Sequence, residues 1–382
     1  MKFIVNSQVL YKQLQSISGV VTTKNNTVPI ISCFLFHLDQ GELTVRTTDL
    51  DTTMVLKIEV ETASLEGMNE IAIQAKLLLD TLKALDDVPL TISVDDATYA
   101  VTVASGNGTY NLAGMDATVF PAMPQIEETA RVVMPASALV SAINKTEFAA
   151  SNDTMRQQMT GIYCQLTPEG STFVATDAHK LVRYKRNDAK SDEVAEFIFP
   201  HNPILLVTRI LEDRREDFDV TLDFNRTNVA ITFDNMYIAC RLVDGKYPNF
   251  EAAIPKENPN RLTIDRVSFL NTLRRISLFS NKANYQVRLS LDETELTISA
   301  EDMDFANKAK ESLPCEYNGE KMDIGFNARF LIEMISNLNT EHILIEMSSP
   351  SRAGIIFPVN ENEEGEPVEN VLMLVMPLML AN

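Results

Sequence analysis

The sequence predicts an α+β fold written three times in tandem, and three observations carry that reading. A strand pattern ending in aspartate recurs: Leu43-Thr44-Val45-Arg46-Thr47-Thr48-Asp49, Thr172-Phe173-Val174-Ala175-Thr176-Asp177, and Leu296-Thr297-Ile298-Ser299-Ala300-Glu301-Asp302. An aromatic or apolar residue followed by proline keeps the same step, at Phe120-Pro121, Tyr247-Pro248 and Met376-Pro377. Each copy also opens on a short apolar run that leads into a helix: Phe3-Ile4-Val5, Val132-Val133-Met134 and Leu262-Thr263-Ile264. A period of about a third of the chain is the size of a domain, far longer than the roughly 20–50 residues of a solenoid repeat. The copies are placed at 1–126, 127–255 and 256–382.

Within the first copy, Lys2–Asn6 reads as a strand. Ser7–Ser18 has helical spacing, with Leu10, Leu14 and Ile17 on one stripe, Ser7 as the expected N-cap and Gly19 as a stop. Ser32–Asp39, Glu42–Thr48 and Thr53–Glu61 then alternate or run apolar as strands. The order repeats in the second half: a strand at Glu70–Gln74, a helix over Ala75–Leu85 carrying Leu78, Leu82 and Leu85, and strands near Pro89–Val94, Tyr99–Ala104 and Thr109–Leu112. The later copies have the same half-way lead-in, at Phe197-Ile198-Phe199 before Pro203–Leu211 and at Ile324-Gly325-Phe326 before Arg329–Leu338. Each copy is therefore two β-α-β-β-β units, giving six helices and about two dozen strands. Each helix is apolar on one narrow side, so it should lie on one face of a sheet. The acidic run Asn360–Glu369 reads as a solvated hairpin tip.

Composition sets the outer bounds. With 45% hydrophobic residues in 382, the chain has ample material for several cores. Cys33, Cys164, Cys240 and Cys315 stand far apart with no C-x-x-C, the pattern of buried thiols in a reducing compartment. Met1–Asn6 lacks the apolar run of a signal peptide, and no stretch approaches the roughly 18 apolar residues of a membrane span. A soluble, cytoplasmic protein is expected. The formal charge of −20 argues against a general affinity for polyanions.

Signs of catalysis are nearly absent. The chain has no G-x-x-x-x-G-K-[ST], no G-x-G-x-x-G and no H-E-x-x-H. Its four histidines, His37, His179, His201 and His342, are too scattered for a metal cluster. Asp177-Ala178-His179 could be half of a hydrolase triad, but a nucleophile elbow is missing and Asp177 belongs to the repeat, where an aspartate that ties a turn is the simpler reading. A hydrolase of this kind should lose its turnover with His179→Ala. His179 itself departs from the repeat, which marks it as special to the middle copy.

Ala175-Thr176-Asp177-Ala178-His179-Lys180-Leu181, Val243-Asp244-Gly245-Lys246-Tyr247-Pro248-Asn249-Phe250 and Val375-Met376-Pro377-Leu378 together resemble three signatures of one family, in order and at suitable spacing. That family is the bacterial sliding clamp, the beta subunit of DNA polymerase III. The Met-Lys-Phe start and Val28-Pro29-Ile30 are similar as well, so the resemblance runs the length of the chain. It implies a head-to-tail homodimer of three like domains per chain. The ring has helices lining its hole and sheets outside, encircles duplex DNA without sequence preference, and tethers the polymerase as a processivity factor. No enzyme activity, cofactor or metal is implied.

The resemblance further implies a pocket in which the polymerase catalytic subunit, the clamp loader and repair proteins insert a short peptide. Its residues here would be Met159, Thr176, Ala178, His179, Leu181, Pro248, Ala253, Leu374, Val375, Met376, Pro377 and Leu378. An adaptable Met/Leu/Val/Pro wall suits several apolar anchors. Ala178 and Lys180 stand where the family commonly has Gly and Arg, Ala252-Ala253 replace a larger pair, and Met379 sits where a basic residue is frequent; these differences bear on partner preference. The helices offer Lys12, Lys76, Lys83, Lys145, Arg209, Arg274 and Arg275 as DNA-facing candidates, though an ordinary solvated helix face reads the same. Resemblance adds Lys24 and Arg156. The dimer contact would pair Tyr110 and Leu112 with Leu278 and Phe279, so that Leu278→Ala with Phe279→Ala yields monomers at micromolar concentration. A three-domain scaffold that never meets DNA is the remaining reading, and it predicts no retention on circular duplex.

Overall fold

A computed structural model of the chain describes residues 1–22, 28–64, 67–106, 108–124, 126–127, 130–192, 194–214, 217–359 and 368–380. The first copy runs β1 (Lys2–Asn6), α1 (Ser7–Ile17), β2 (Cys33–Asp39), β3 (Glu42–Thr48), β4 (Thr52–Glu59) and a short β5 (Glu61–Ser64). Its second half is β6 (Glu70–Gln74), α2 (Ala75–Lys83), β7 (Pro89–Val94), β8 (Ala100–Ser105) and β9 (Gly108–Met115). The middle copy has β10 (Ala130–Pro135), α3 (Ala136–Thr146), β11 (Gly161–Thr167), β12 (Gly170–Thr176) and β13 (Lys180–Arg186). It continues with β14 (Ala195–Pro200), α4 (His201–Glu212), β15 (Asp219–Phe224), β16 (Asn228–Phe233) and β17 (Met236–Arg241). The last copy has β18 (Asn260–Asp265), α5 (Arg266–Ser277), β19 (Gln286–Leu291), β20 (Glu295–Asp302), β21 (Asn307–Pro314) and β22 (Glu316–Asn318). It ends with β23 (Met322–Asn327), α6 (Ala328–Ser336), β24 (His342–Met347), β25 (Gly354–Val359) and β26 (Glu369–Val375). The twofold β-α-β-β-β plan therefore holds in every copy. Two extra short strands, β5 and β22, decorate the first and last.

Helix α1 shows why these segments fold as they do. Leu10, Leu14 and Ile17 are wholly buried on one stripe, while Lys12 faces solvent. The N-cap is Asn6 rather than Ser7: the Asn6 carboxamide oxygen accepts from the amides of Gln8 (2.9 Å) and Val9 (3.0 Å). Ser7 is buried, and its hydroxyl donates instead to the carbonyl of Asp86 at 2.6 Å. Helix α2 stops at Lys83, two residues before the expected Leu85. The expected strand Thr53–Glu61 breaks into β4 and β5, and β8 starts after Tyr99, whose φ is +60°. Most of the acidic run, Asn360–Pro367, lies outside the described residues, as does Lys24.

Two compact units are formed, Met1–Ser137 with Asn202–Leu242, and Ala138–His201 with Val243–Asn382. The first holds one 13-stranded antiparallel sheet in the order β10-β15-β16-β17-β4-β3-β2-β6-β9-β8-β7-β1-β5. In the second, a nine-stranded sheet runs β14-β11-β12-β13-β26-β25-β24-β18-β22, beside a four-stranded sheet β21-β20-β19-β23. Each unit contains a joint between consecutive copies, and the two joints are built alike. In the first, β4 of one copy pairs with the last strand of the next, β17, with Thr53 opposite Ala239. In the second, β13 pairs with the last strand of the following copy, β26, with Leu181 opposite Leu374. Among the described residues, no helix is long and apolar enough to cross a membrane.

Candidate peptide site and its surroundings

The aspartates of the repeat tie hairpin turns. Asp49 Oδ1 accepts from the amides of Asp51 (3.1 Å) and Thr52 (2.6 Å), and Asp177 Oδ1 accepts from those of His179 and Lys180 (both 2.8 Å). The threonine before each completes the turn: Thr48 Oγ1 donates to the carbonyl of Thr52 at 2.9 Å, and Thr176 Oγ1 to that of Lys180 at 2.7 Å. Both turns hold one residue in the left-handed region, Leu50 at φ +84° and Ala178 at φ +75°. In the last copy Asp302 lies within β20, accepts from the Asp304 amide at 3.2 Å and from Asn281 Nδ2 at 3.4 Å, and the hairpin tip moves on to Met303–Ala306. With Asp177 so engaged and the His179 ring stacked on Phe330 (centroids 6.3 Å apart), the pair has the geometry of a turn, not of a base and its orienting carboxylate.

This turn is where the candidate peptide residues meet. Strand β26 runs antiparallel to β13, with Lys180 opposite Val375, and the chain then leaves the strand still held: the Met376 amide donates to the His179 carbonyl at 2.8 Å. Farther on, the Leu378 amide donates to the Gly325 carbonyl at 2.8 Å, and Gln286 Nε2 donates to the carbonyl of Met379 at 2.9 Å. Residues 376–379 thus pass from the nine-stranded sheet to the β23 edge of the four-stranded one. Beneath them Leu181 and Leu374 belong to a buried cluster with Tyr163, Val174, Ile198, Tyr247 and Ile355, against which Phe250 also packs. The Tyr163 and Tyr247 rings stack with centroids 4.9 Å apart, which fixes the segment carrying Pro248 and Ala253 over β11 and β12.

Thr176, Leu181, Leu374 and Val375 are buried floor, whereas Ala178, His179, Ala253 and Met376 are exposed and Pro248, Pro377 and Leu378 partly so. Met159 ends a short 3-10 turn and is itself buried, its carbonyl accepting from the Ser151 amide. Sequence reading missed Phe330, Gly325 and Gln286, the residues that position His179 and the tail. A cavity of about 450 Å³ adjoins the tail, lined by Arg288, Asp323, Pro350, Ser351, Leu378, Met379 and Leu380, and shares Leu378 with this surface.

Lys180 anchors the turn from below. Only 6% exposed, its ammonium donates to the Phe148 carbonyl at 2.7 Å, pairs with Glu333 of α6, and lies over the rings of Phe148 and Phe330. A buried lysine tolerates such a place only with its charge compensated. The thiols are poor nucleophiles: burial pushes Cys164 up and Cys240 up to about 12. Among the described residues, no group of three or more His, Cys, Asp or Glu could hold a metal.

The remaining candidates fall elsewhere. Lys12, Lys76, Lys83 and Arg209 are exposed on their helices, and Arg274 donates to Ser336 Oγ at 3.3 Å. Lys145 is turned to Glu369 and the Tyr184 ring, Arg275 pairs with Glu311, and Arg156 sits 3.8 Å from Asp153. Tyr110 is 40% exposed, Leu278 69% and Phe279 41%, while Leu112, within β9, is buried.

Three copies of one α+β domain, joined by running the sheet of each into the next, make the architecture of a DNA clamp. Models of the DNA polymerase III beta subunit match all three parts of the chain: the N-terminal domain over residues 1–124, the central domain over 133–249 and the C-terminal domain over 251–375. The beta sliding clamp of Synechococcus elongatus is 30% identical over 384 residues, covering all of both chains. Among solved structures, a sliding clamp from Pseudomonas aeruginosa bound to griselimycin superposes with a TM-score of 0.91 at 26% identity, and the C. crescentus beta sliding clamp with 0.90 at 25%, each over the whole of both chains. The chain belongs to the DNA polymerase III beta subunit family, the bacterial beta sliding clamps. It is a replication processivity factor, and its family is not an enzymatic one.

Proposed function

We propose that two copies of this chain close head to tail into a ring around duplex DNA, and that the ring tethers the replicative polymerase through the Thr176–Leu181 and Leu374–Leu378 surface. The observation that carries the ring is the joint used twice within the chain. Applied a third time, it would join β21 of the last copy to the last strand of a first copy, β9, in a second molecule. Both strands are open there: β21 is the edge of its sheet, and β9 pairs with β6 only at Gly114 and Met115. Unpaired edges of this kind call for a partner. Two unlike ends that fit each other make a closed ring when the rotation per copy allows it.

Such a ring needs little affinity for DNA, because a topological link holds it in place. Strong phosphate contacts would slow sliding and make it salt-dependent. A chain of charge −20 suits this, with Lys12, Lys76, Lys83, Arg209 and Arg274 as a modest basic lining. Outward acidic groups are screened over about 8 Å at physiological salt. Lys145, Arg156 and Arg275 contribute less on this reading, since each already faces an acid. The functional domains are taken as 1–126, 127–255 and 256–382, acting in the cytoplasm. The polymerase catalytic subunit, the clamp loader and repair proteins would share one surface by offering similar apolar anchors.

The test is binding of a fluorescent peptide bearing glutamine, then leucine and phenylalanine anchors, to the full chain and to a version ending at Leu374. Micromolar binding that vanishes on truncation is expected. An intact fold that binds the peptide equally well without residues 375–382 would place the partner surface elsewhere.

A further inference from the structure

The β20–β21 hairpin of the last copy carries an exposed apolar tip. At the tip of β20–β21, Met303 is 79% and Phe305 75% exposed, between Asp302, Asp304 and Ala306. The tip is not a loose end. Asn281, just past Leu278 and Phe279, donates to both Asp302 (3.4 Å) and Asp304 (3.3 Å), so these four apolar side chains are presented from one end of the unit. Apolar side chains held out in this way mark an interaction surface.

The repeated joint tells what the tip meets, and this step rests on the ring reading above. The repeat aligns Thr48, Thr176 and Glu301, and opposite them across their hairpins stand Thr53, Leu181 and Lys308. Thr53 lies opposite Ala239, which stands as far beyond the turn-closing Met236 as Asn111 stands beyond Gly108. The same register at the open edges sets Lys308 opposite Asn111 and lays the tip Met303–Ala306 along Ala113–Asp116 of the second copy. In the joint inside the chain, the corresponding turn Asp177–Lys180 lies along Val375–Leu378, and the two form the candidate peptide surface. Met115 even stands where Leu378 does: Met115 pairs with Ala72 of β6, and Leu378 bridges to Gly325 of β23. The difference lies in the turn. The inner joint presents Ala178 and His179 and leaves its apolar wall open, whereas the outer one presents Met303 and Phe305.

We propose that Met303 and Phe305 fill, at each seam of the ring, the place that corresponds to the peptide surface, packing on the second copy's Ala113–Met115. The seam is thereby plugged by the chain itself and offers no further peptide site. It is also held by more than backbone pairing and the Leu278–Phe279 contact. The occupant is a second copy of this chain because the wall it needs, an uncharged stretch in which Thr109–Asn111, Ala113 and Met115 are exposed, is on the opposite end of the same sequence.

The test is sedimentation equilibrium of the full chain with Met303→Ser and Phe305→Ser together, beside wild type and the Leu278→Ala, Phe279→Ala variant. A dimer dissociation constant raised tenfold or more, with the anchor peptide still bound as tightly as by wild type, is the expected result. A double-serine variant as dimeric as wild type, next to a monomeric Leu278/Phe279 variant, overturns the plug and leaves the ring joint standing. If both variants stay dimeric at wild-type affinity, the joint itself is misplaced and the plug fails with it. Loss of peptide binding in the double-serine variant would signal misfolding; Met303→Gln with Phe305→Gln, chosen for volume, then decides between the same outcomes.

Discussion

At the scale of single residues, the turn at Asp177–Lys180 combines strain with support. Ala178 sits at φ +75°, where a β-carbon crowds the following carbonyl and costs about 1–2 kcal/mol that glycine avoids. Glycine returns part of that gain through the greater freedom of its unfolded chain. Ala178→Gly should therefore stabilise the protein by about 1 kcal/mol, seen as an upward shift in thermal unfolding. A lower midpoint would mean that the methyl group contributes more to packing than its backbone costs. The strain persists because the turn is held from several sides: Asp177 and Thr176 bond its amides, and Lys180 is locked between Phe148, Phe330 and Glu333. Glu369 shows the same economy near the other end of β26. Burial works to raise its carboxyl, but hydrogen bonds from Lys145 and Tyr184 outweigh it and hold the group below the usual range.

At the scale of elements, the tail after β26 behaves as a strand shared between two sheets. It leaves β13 at Met376 and joins β23 at Leu378, and Gly325 makes that landing possible. A β-carbon there would stand 2.5 Å from the Leu378 carbonyl oxygen and 2.8 Å from Leu380 Cδ2, and the first of these is backbone that cannot rotate away. Gly325→Ala should push the tail off the edge and cost about one backbone hydrogen bond, roughly 1 kcal/mol, or about fivefold in peptide affinity. The core strands should melt as before. Peptide affinity unchanged by this substitution would detach the tail from binding. Much of this element structure was legible beforehand, because α1, β3, β6 and β7 follow periods that burial of one face imposes. What was hidden is non-local. Ser7 reads locally as a cap, but its hydroxyl is taken by Asp86 in the loop between α2 and β7, far along the chain, and Asn6 takes the cap instead. Phe330 and Gly325 gave no local signal either, since their importance comes from the turn and the tail they meet in space.

At the scale of the whole molecule, a long repeat allows the structure to foretell its own assembly. Two joints made by the same strands in the same register leave a third pair of strands open at the ends of the chain, β21 and β9. If the third joint copies the other two, Lys308 of one molecule lies opposite Asn111 of the next. Opposed residues on antiparallel strands have Cα atoms about 4.5–5.5 Å apart, within the range a disulfide spans. Asn111→Cys with Lys308→Cys should thus oxidise to a covalent dimer with both seams closed, while either single variant stays unlinked. Loaded on a circular duplex and then oxidised, that dimer should remain through a high-salt wash and escape once the DNA is cut. Retention that survives linearisation would point to ordinary affinity rather than a topological link. Failure of the double variant to cross-link, with dimers still present in solution, would show that the outer joint departs from the register of the inner two.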